Sequence, residues 1–509
     1  MKERNLIVRN LKNKMMKIKK ILLFTLLFIS SFILTSCNDE VAKEENDYRT
    51  TKLTIYSMND FHGSIFEDGD KKGIFKIGDY LINEKKLNPD TTIILSAGDM
   101  FQGTAVSSMT RGRAIVDCMN IIGFDAMTIG NHEFDWGIEE ILKYQDGDLS
   151  NGEANFPFIV SNIIDKRTNE LVSWAKPYTV LEKSGLKVGI IGVIGHDQTN
   201  DILASYVKDY EFTDEYDAIK KYAKILRTEE NCDIVIVSAH LDTEDINNKL
   251  SRLNGEYRID ALFNGHTHKA YFGELTQGER TTPLPYVQSG CYGKYVGKIE
   301  LKYYHNTKEV FDSSSENIKL FGNTENQELL DAISKYQNEI DKTNEFLGIS
   351  GENLSQKSGA KWASNVIKKY GNSIIGFVNS GGIRSNAFPI YPNDEITYGD
   401  IFEMMPFENK IITVELKGSE IKDLYISNYL IVSDGVELKG NDLYIDNKLI
   451  NDNEYYKVST VDFLYEKSHY PFMYGKNMME NELLFRDALA EAVKESVKEN
   501  NKFMPSLLK

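Results

Sequence analysis

Five short segments of this 509-residue chain place side chains capable of chemistry directly behind apolar runs. They are "NDFHG" with Asp60 and His62, "SAGD" with Asp99, "TIGNHEFD" with Asn131, His132 and Asp135, "SAHL" with His240, and "NGHTH" with His266 and His268. Oxygen and imidazole donors without thiolate suit zinc, manganese or iron, and a carboxylate such as Asp99 can bridge two cations. Asp60 and His62, like His266 and His268, are two residues apart. If the chain stays extended, both side chains of each pair point to one side and can converge on an ion. Taken singly, each segment reads more readily as a solvated turn or a satisfied core group than as a ligand. Five of the eight histidines fall in these segments, however, and together they predict a site for two divalent ions. His196, His305 and His469 are read as loop or structural histidines.

The elements that must hold these groups are short apolar strands alternating with helical stretches between Lys52 and Tyr304, among them "KLTIYSM", "TTIILSA", "FDAMTI", "CDIVIVSA" and "IDALFNG". That alternation indicates a layered α/β domain over residues 51–322, and the polar groups sit at strand carboxyl ends, where such folds build sites. With 41% hydrophobic and 11% aromatic residues the chain can fill two cores and is too long for one. Leu329, Leu330, Ile333, Tyr336 and Ile340 have helical spacing, opened by Thr324 and Gln327 as a capping box and stopped by Gly348, so a linker helix is expected over 323–348. Residues 349–509 read as a second α/β unit with strands "SIIGFVNS", "KIITVELKG" and "YYKVSTVDFL" and a closing helix from Asn481 to about Lys498.

Residues 1–36 combine a lysine- and arginine-rich start with the apolar run "ILLFTLLFISSFIL", shorter than a comfortable membrane span, and read as an export signal. "LTSC" resembles a bacterial lipobox, which would make Cys37 the lipidated N-terminus of a membrane-anchored, extracytoplasmic protein with a polar tether over 37–50. Losing eight Lys/Arg and one Glu with the signal takes the formal net charge from −17 to −24, which argues against nucleic-acid binding. Cys118, Cys232 and Cys291 then remain, an odd number without CxxC spacing, so neither a disulfide framework nor a cysteine metal site is indicated. A monomer is expected.

In order and wording the five segments resemble the calcineurin-like metallophosphoesterases, and with "NSGGIR" and "MPFEN" downstream the chain resembles the secreted 5'-nucleotidase and UDP-sugar-hydrolase family over about residues 51–500. The resemblance implies a four-layer αββα sandwich, a linker helix and a C-terminal α/β substrate-binding domain that rotates against the sandwich. It implies one metal held by Asp60, His62, Asp99 and His268 and another by Asp99, Asn131, His240 and His266. Two such ions about 3.5 to 4 Å apart acidify a shared water that attacks phosphorus in line. His132 would donate a hydrogen bond to the phosphoryl group, with Asp135 orienting it. Gly130 is read as permitting the tight turn after the strand, and Glu133 as a helix-capping residue.

In the second unit Asn379, Gly382 and Arg384 offer a glycine turn and a guanidinium fork suited to an anion. Phe407 and Phe463 could sandwich a flat base, worth roughly 1 to 3 kcal/mol, with Asn409 at its edge; core packing is the alternative for both rings. Two departures from the family stand out. The usual Asn-Gly-Gly-Asp-Gly turn after the second phenylalanine is replaced by "LYEKSHYPFMYG", so the aspartate that meets the ribose in the family has no direct counterpart there. The arginine that often precedes the family's glycine near Gly359 is missing, with Lys357 as a possible substitute. The function implied is release of phosphate from a 5'-nucleotide. The alternatives are a 2',3'-cyclic-nucleotide phosphodiesterase, a UDP-sugar pyrophosphatase, or a non-catalytic binding protein on the same fold.

Overall fold

The structure is a computed structural model in which residues 49–241, 244–278, 281–322 and 326–508 are described. The signal segment, Cys37, residues 37–48 of the tether and Thr324 lie outside them. Lys302–Asp312 and the segment running up to Lys52 form a small unit, inside which Thr51 Oγ1 lies 2.8 Å from His305 Nε2. The large unit comprises Leu53–Leu301 and Ser313–Lys509.

Two six-stranded sheets build the N-terminal half. Strands β1 (Thr50–Met58), β2 (Thr92–Ser96), β3 (Ala126–Thr128) and β4 (Phe158–Ile159) lie side by side and parallel. In the second sheet Leu186–Ile194, Ile234–His240, Ala261–Asn264 and Leu284–Ser289 run parallel, with antiparallel neighbours at both edges. These strands are near-continuous Val/Ile/Leu runs because both faces are covered. The outer face of the first sheet carries the helices Gly73–Leu87 and Arg113–Ile122, and that of the second carries Glu215–Thr228, whose Ile219, Ala223 and Leu226 are fully buried. Between the sheets Thr128 Oγ1 donates to Ser238 Oγ at 2.7 Å, and Ser238 Oγ to the Ser96 carbonyl at 3.2 Å. The expected αββα sandwich is therefore present.

The linker differs from a single helix. It is two short helices, Gln327–Ser334 and Gln337–Thr343, followed by the strand Phe346–Ile349. Asn326 caps the first by accepting from Glu328 N and Leu329 N. The break falls at Tyr336, which leaves helical geometry (φ −104, ψ 30) where its hydroxyl donates to Asp117 Oδ2 at 2.8 Å. The apolar spacing still serves its purpose, since Leu329 and Ile333 are buried in the N-terminal core.

The C-terminal half is a five-stranded sheet in the order Ile431–Val432, Ile375–Val378, Tyr455–Val461, Lys410–Lys417 and Lys476–Leu484. The helix Gln356–Tyr370 is capped by Ser355 and buries Trp362, Ala363 and Val366. The closing helix runs Phe485–Asn500 and not from Asn481, because Asn481–Leu484 complete the edge strand, Leu484 pairing with Lys410. No helix of the described residues is long and apolar enough to cross a membrane.

Candidate active site

Asp60 and His62 follow β1, Asp99 follows β2, Asn131 and His132 follow β3, and His240 closes its strand in the second sheet, with His266 and His268 just beyond Asn264. The pairs do not converge by staying extended, however. Asp60, His62, Asp99, His266 and His268 all have left-handed backbones, with φ of 47, 50, 57, 77 and 59. This conformation costs a non-glycine residue about 1 to 2 kcal/mol. Backbone bonds between the loops hold it: Asp60 N donates to Gly98 O, and His62 N to Asp99 O, both at 3.0 Å. His266 and His268 consequently separate, each to its own cluster.

The clusters are Asp60, His62 and His268, and Asp99, His240 and His266, the ligand-capable atoms of each lying within 4.8 Å of one another. His62 Nδ1 donates to the Gln102 carbonyl at 2.9 Å, so its Nε2 lone pair faces His268 Nε2 at 3.0 Å. His240 Nδ1 likewise donates to the Ala97 carbonyl at 2.7 Å, turning Nε2 toward Asp99 Oδ2 and Asn131 Oδ1, both at 3.1 Å. Asn131 Oδ1 also lies 3.1 Å from His266 Nδ1. Burial disfavours charge on His240, yet Asp99 and Asp60 outweigh it and push the imidazole up to about 9. Burial and Arg384 pull His268 down to about 3. Acceptor atoms thus converge on two points that demand positive charge, and the donor set fits two divalent cations.

His132 bonds by its backbone N–H to Asp99 Oδ1 at 2.9 Å, and its ring packs edge-on against His62 with centroids 5.2 Å apart. Nδ1 meets Asp135 Oδ2 at 2.8 Å, Nε2 lies 3.1 Å from Arg384 Nη2, and the ring stacks on Phe407 with centroids 6.0 Å apart. Burial opposes charge on this imidazole, but Asp135 and Asp99 overcome it and raise its pKa.

Two motif residues act differently from expectation. Gly130 is not a left-handed turn glycine, since its φ of −102 and ψ of −177 are ordinary extended backbone. It is glycine because a Cβ there would lie 2.3 Å from Asp99 Oδ1. Glu133 does cap, accepting from Gly130 N at 2.8 Å, but it also accepts from Asp99 N at 2.9 Å and Met100 N at 3.0 Å. Fully buried, it clamps the loop that carries Asp99.

A cavity of about 420 Å³ opens over the clusters and joins the two halves of the chain. Asp99, Asn131, His132, Asp135, His266 and His268 line it from one side; Asn379, Gly382, Arg384, Phe407, Asn409 and Phe463 line it from the other. Asp60, His62 and His240 lie just beneath, through the contacts above. Lys357 is exposed and lies outside this lining, leaving Arg384 as the cationic side chain among the described residues that form the wall. The segment replacing the family's glycine turn continues the short helix Asp462–Tyr465 and then reaches across: Glu466 Oε2 accepts from Ser205 N at 2.8 Å, and Lys467 Nζ donates to Asn200 O at 2.5 Å. Asp201, Tyr206, Glu408 and Asp462 also line the cavity. Of these Asp462 and Glu408 had a sequence signal, the one directly before Phe463 and the other between Phe407 and Asn409.

Strand ends of two facing sheets that bring carboxylates and imidazoles to a paired cation site, beneath a cleft with a buried His–Asp pair, define a metal-dependent phosphoester hydrolase. Residues 53–270 match the calcineurin-like phosphoesterase model and residues 339–473 the 5'-nucleotidase C-terminal domain. Together these cover more than half of the chain, which belongs to the 5'-nucleotidase-type metallophosphoesterase family. It is 28% identical over 409 residues to "Endonuclease YhcR" of Bacillus subtilis (strain 168), covering 73% of this chain and 32% of that protein. The chain thus spans about a third of that relative's length. It is 29% identical over 430 residues to "Apyrase" of Tabanus yao, covering 76% of this chain and 74% of the relative. The solved 5'-nucleotidase precursor of Thermus thermophilus superposes with a TM-score of 0.72 at 20% identity, over 87% of this chain and 96% of that one.

Proposed function

We propose that the chain is an extracytoplasmic, Cys37-anchored monomeric hydrolase that releases phosphate from 5'-nucleotides, with domains at 51–322 and 349–509 joined through 323–348. The observation that carries this reading is that one cavity presents the paired cation site, the His132–Asp135 couple, Arg384 and two aromatic rings flanking an amide. Asp60, His62, Asp99 and His268 would hold one divalent ion, and Asp99, Asn131, His240 and His266 the other, with zinc, manganese and iron as the fitting identities. When bound, the ions supply an acidified water and a polarised phosphoryl oxygen.

The chain's own residues account for the rest. Asp99 N is fixed by Glu133, and Asp99 Oδ1 in turn fixes His132 N. His132 Nε2, its ring set by Asp135, donates to a phosphoryl oxygen as negative charge develops there. Arg384 leaves His132 for the same phosphate, and the N–H groups around Gly382 add further donors. Phe407 and Phe463 take the base. Arg384, the one guanidinium among the described residues of the wall, favours a monoester over a pyrophosphate-linked substrate. Steady-state assays of AMP, ADP, UDP-glucose and 2',3'-cyclic AMP test the reading: AMP is expected to give the highest kcat/KM, and AMP as the slowest of the four would overturn it.

A further inference from the structure

Asp462 is a cavity-lining carboxylate with no part in the phosphate chemistry. Its Oδ1 accepts from Asn409 Nδ2 at 2.6 Å and from Phe463 N at 2.8 Å, and its Oδ2 accepts from Lys410 N at 3.1 Å. With a backbone N–H already on each oxygen, the face turned to Asn409 is an acceptor, so the amide must present nitrogen to it and not oxygen. Asparagine otherwise reads bases of opposite polarity by flipping its amide. Here the flip is blocked, because it would set Asn409 Oδ1 against a carboxylate in a half-buried setting.

The surroundings are equally fixed. Lys467 Nζ lies over the Phe463 ring, 4.3 Å from its centroid, and Arg384 lies over Phe407 at 4.9 Å. Each ring has a cation near it, and both line the cavity that Asn409 and Asp462 share. Asn409 Oδ1 takes no bond from a protein donor among the described residues; it and the second Nδ2 hydrogen are left to meet a ligand edge, in an order that Asp462 fixes.

We propose that Asp462 is a positioning residue for base selection: by locking the Asn409 amide it makes the cleft prefer nucleotides with an exocyclic amine at the edge met there, adenine or cytosine, over 6-oxo and 4-oxo bases. This rests on the nucleotide reading above. An oxo base in the same seat would set its oxygen against Oδ1 and its ring N–H against the second Nδ2 hydrogen, a mismatch of about 1 to 3 kcal/mol.

The test uses the metal-loaded full chain and compares kcat/KM for AMP and IMP, with p-nitrophenyl phosphate as a substrate without a base. AMP is expected to lead IMP by roughly tenfold or more, carried mainly in KM. In Asp462→Asn the residue can donate as well as accept, the Asn409 amide can turn, and the ratio is expected to fall within threefold of unity. Loss of a merely structural group would lower both substrates together and leave the ratio. Should Asp462→Asn not fold, Asn409→Ala keeps the backbone bonds to Asp462 and is expected to abolish the preference. A wild-type ratio within threefold of unity, a preference for IMP, or a wild-type ratio retained in the variants overturns this inference alone. Turnover of p-nitrophenyl phosphate without turnover of either nucleotide overturns the nucleotide reading and this inference with it.

Discussion

Glu133 joins three backbone N–H groups on the two loops that carry Asp99 and His132, without belonging to either ligand cluster. A glutamine there cannot serve all three donors, because half of its head group is itself a donor. Glu133→Gln is therefore expected to weaken metal affinity about 10- to 100-fold, read by metal analysis after dialysis against a graded chelator. His132→Ala should behave oppositely: metal content stays at the wild-type level while turnover falls about 10²- to 10³-fold, and equal turnover would remove His132 from the chemistry. The pH profile separates its partner. Asp135 helps raise the His132 pKa, so the imidazolium persists below that raised value and is lost as pH rises through it. In Asp135→Asn the alkaline fall of kcat should move to lower pH, and an unmoved limb would assign that fall to another group.

At the level of elements, the position of the site was legible and its local geometry was not. Apolar runs ending in Asp, His or Asn mark where buried parallel strands stop, and the five such runs singled out end at the site, whereas those ending at Asn162 and His196 do not. The turn conformations that follow are set by bonds between loops distant in sequence, such as Asp60 N to Gly98 O, which a local pattern does not encode. The same limit explains the linker, where Tyr336 breaks a well-spaced helix to reach Asp117, and Asn481–Leu484, where pairing with Lys410–Lys417 overrides helical propensity. Gly130 offers a clean test of packing against backbone freedom. Its φ and ψ suit alanine, so Gly130→Ala should do harm only through the Cβ set 2.3 Å from Asp99 Oδ1. A stability loss of about 1 to 3 kcal/mol with reduced metal occupancy is expected in chemical denaturation and metal analysis. Wild-type values would mean that the Asp99 loop yields freely.

For the whole molecule, the question is what holds the two halves around the cavity. Besides the Glu466, Lys467 and Arg384–His132 contacts, ion pairs among the described residues join the halves: Lys71 Nζ to Glu403 Oε2 at 3.9 Å, and Arg111 Nη1 to Glu408 Oε1 at 2.8 Å, with Glu408 between Phe407 and Asn409 and Arg111 over the Trp136 ring. None of this could be read from the sequence, since Ser205 and Glu466 are 261 residues apart and neither belongs to a motif. Both side chains of the Arg111–Glu408 pair are 37% exposed, so the pair is worth about 0.2 to 1 kcal/mol and not more. Glu408→Arg sets two cations together and should raise KM for AMP roughly two- to fivefold with little change in kcat, because the metal-binding residues are untouched. Arg111→Glu should do the same. The double reversal, Arg111→Glu with Glu408→Arg, restores opposite charges across the gap and should return KM toward wild type. Additive losses in that variant would show that the two residues act independently, and would leave the remaining contacts, those of Glu466, Lys467, Arg384 and Lys71, as what closes the cleft.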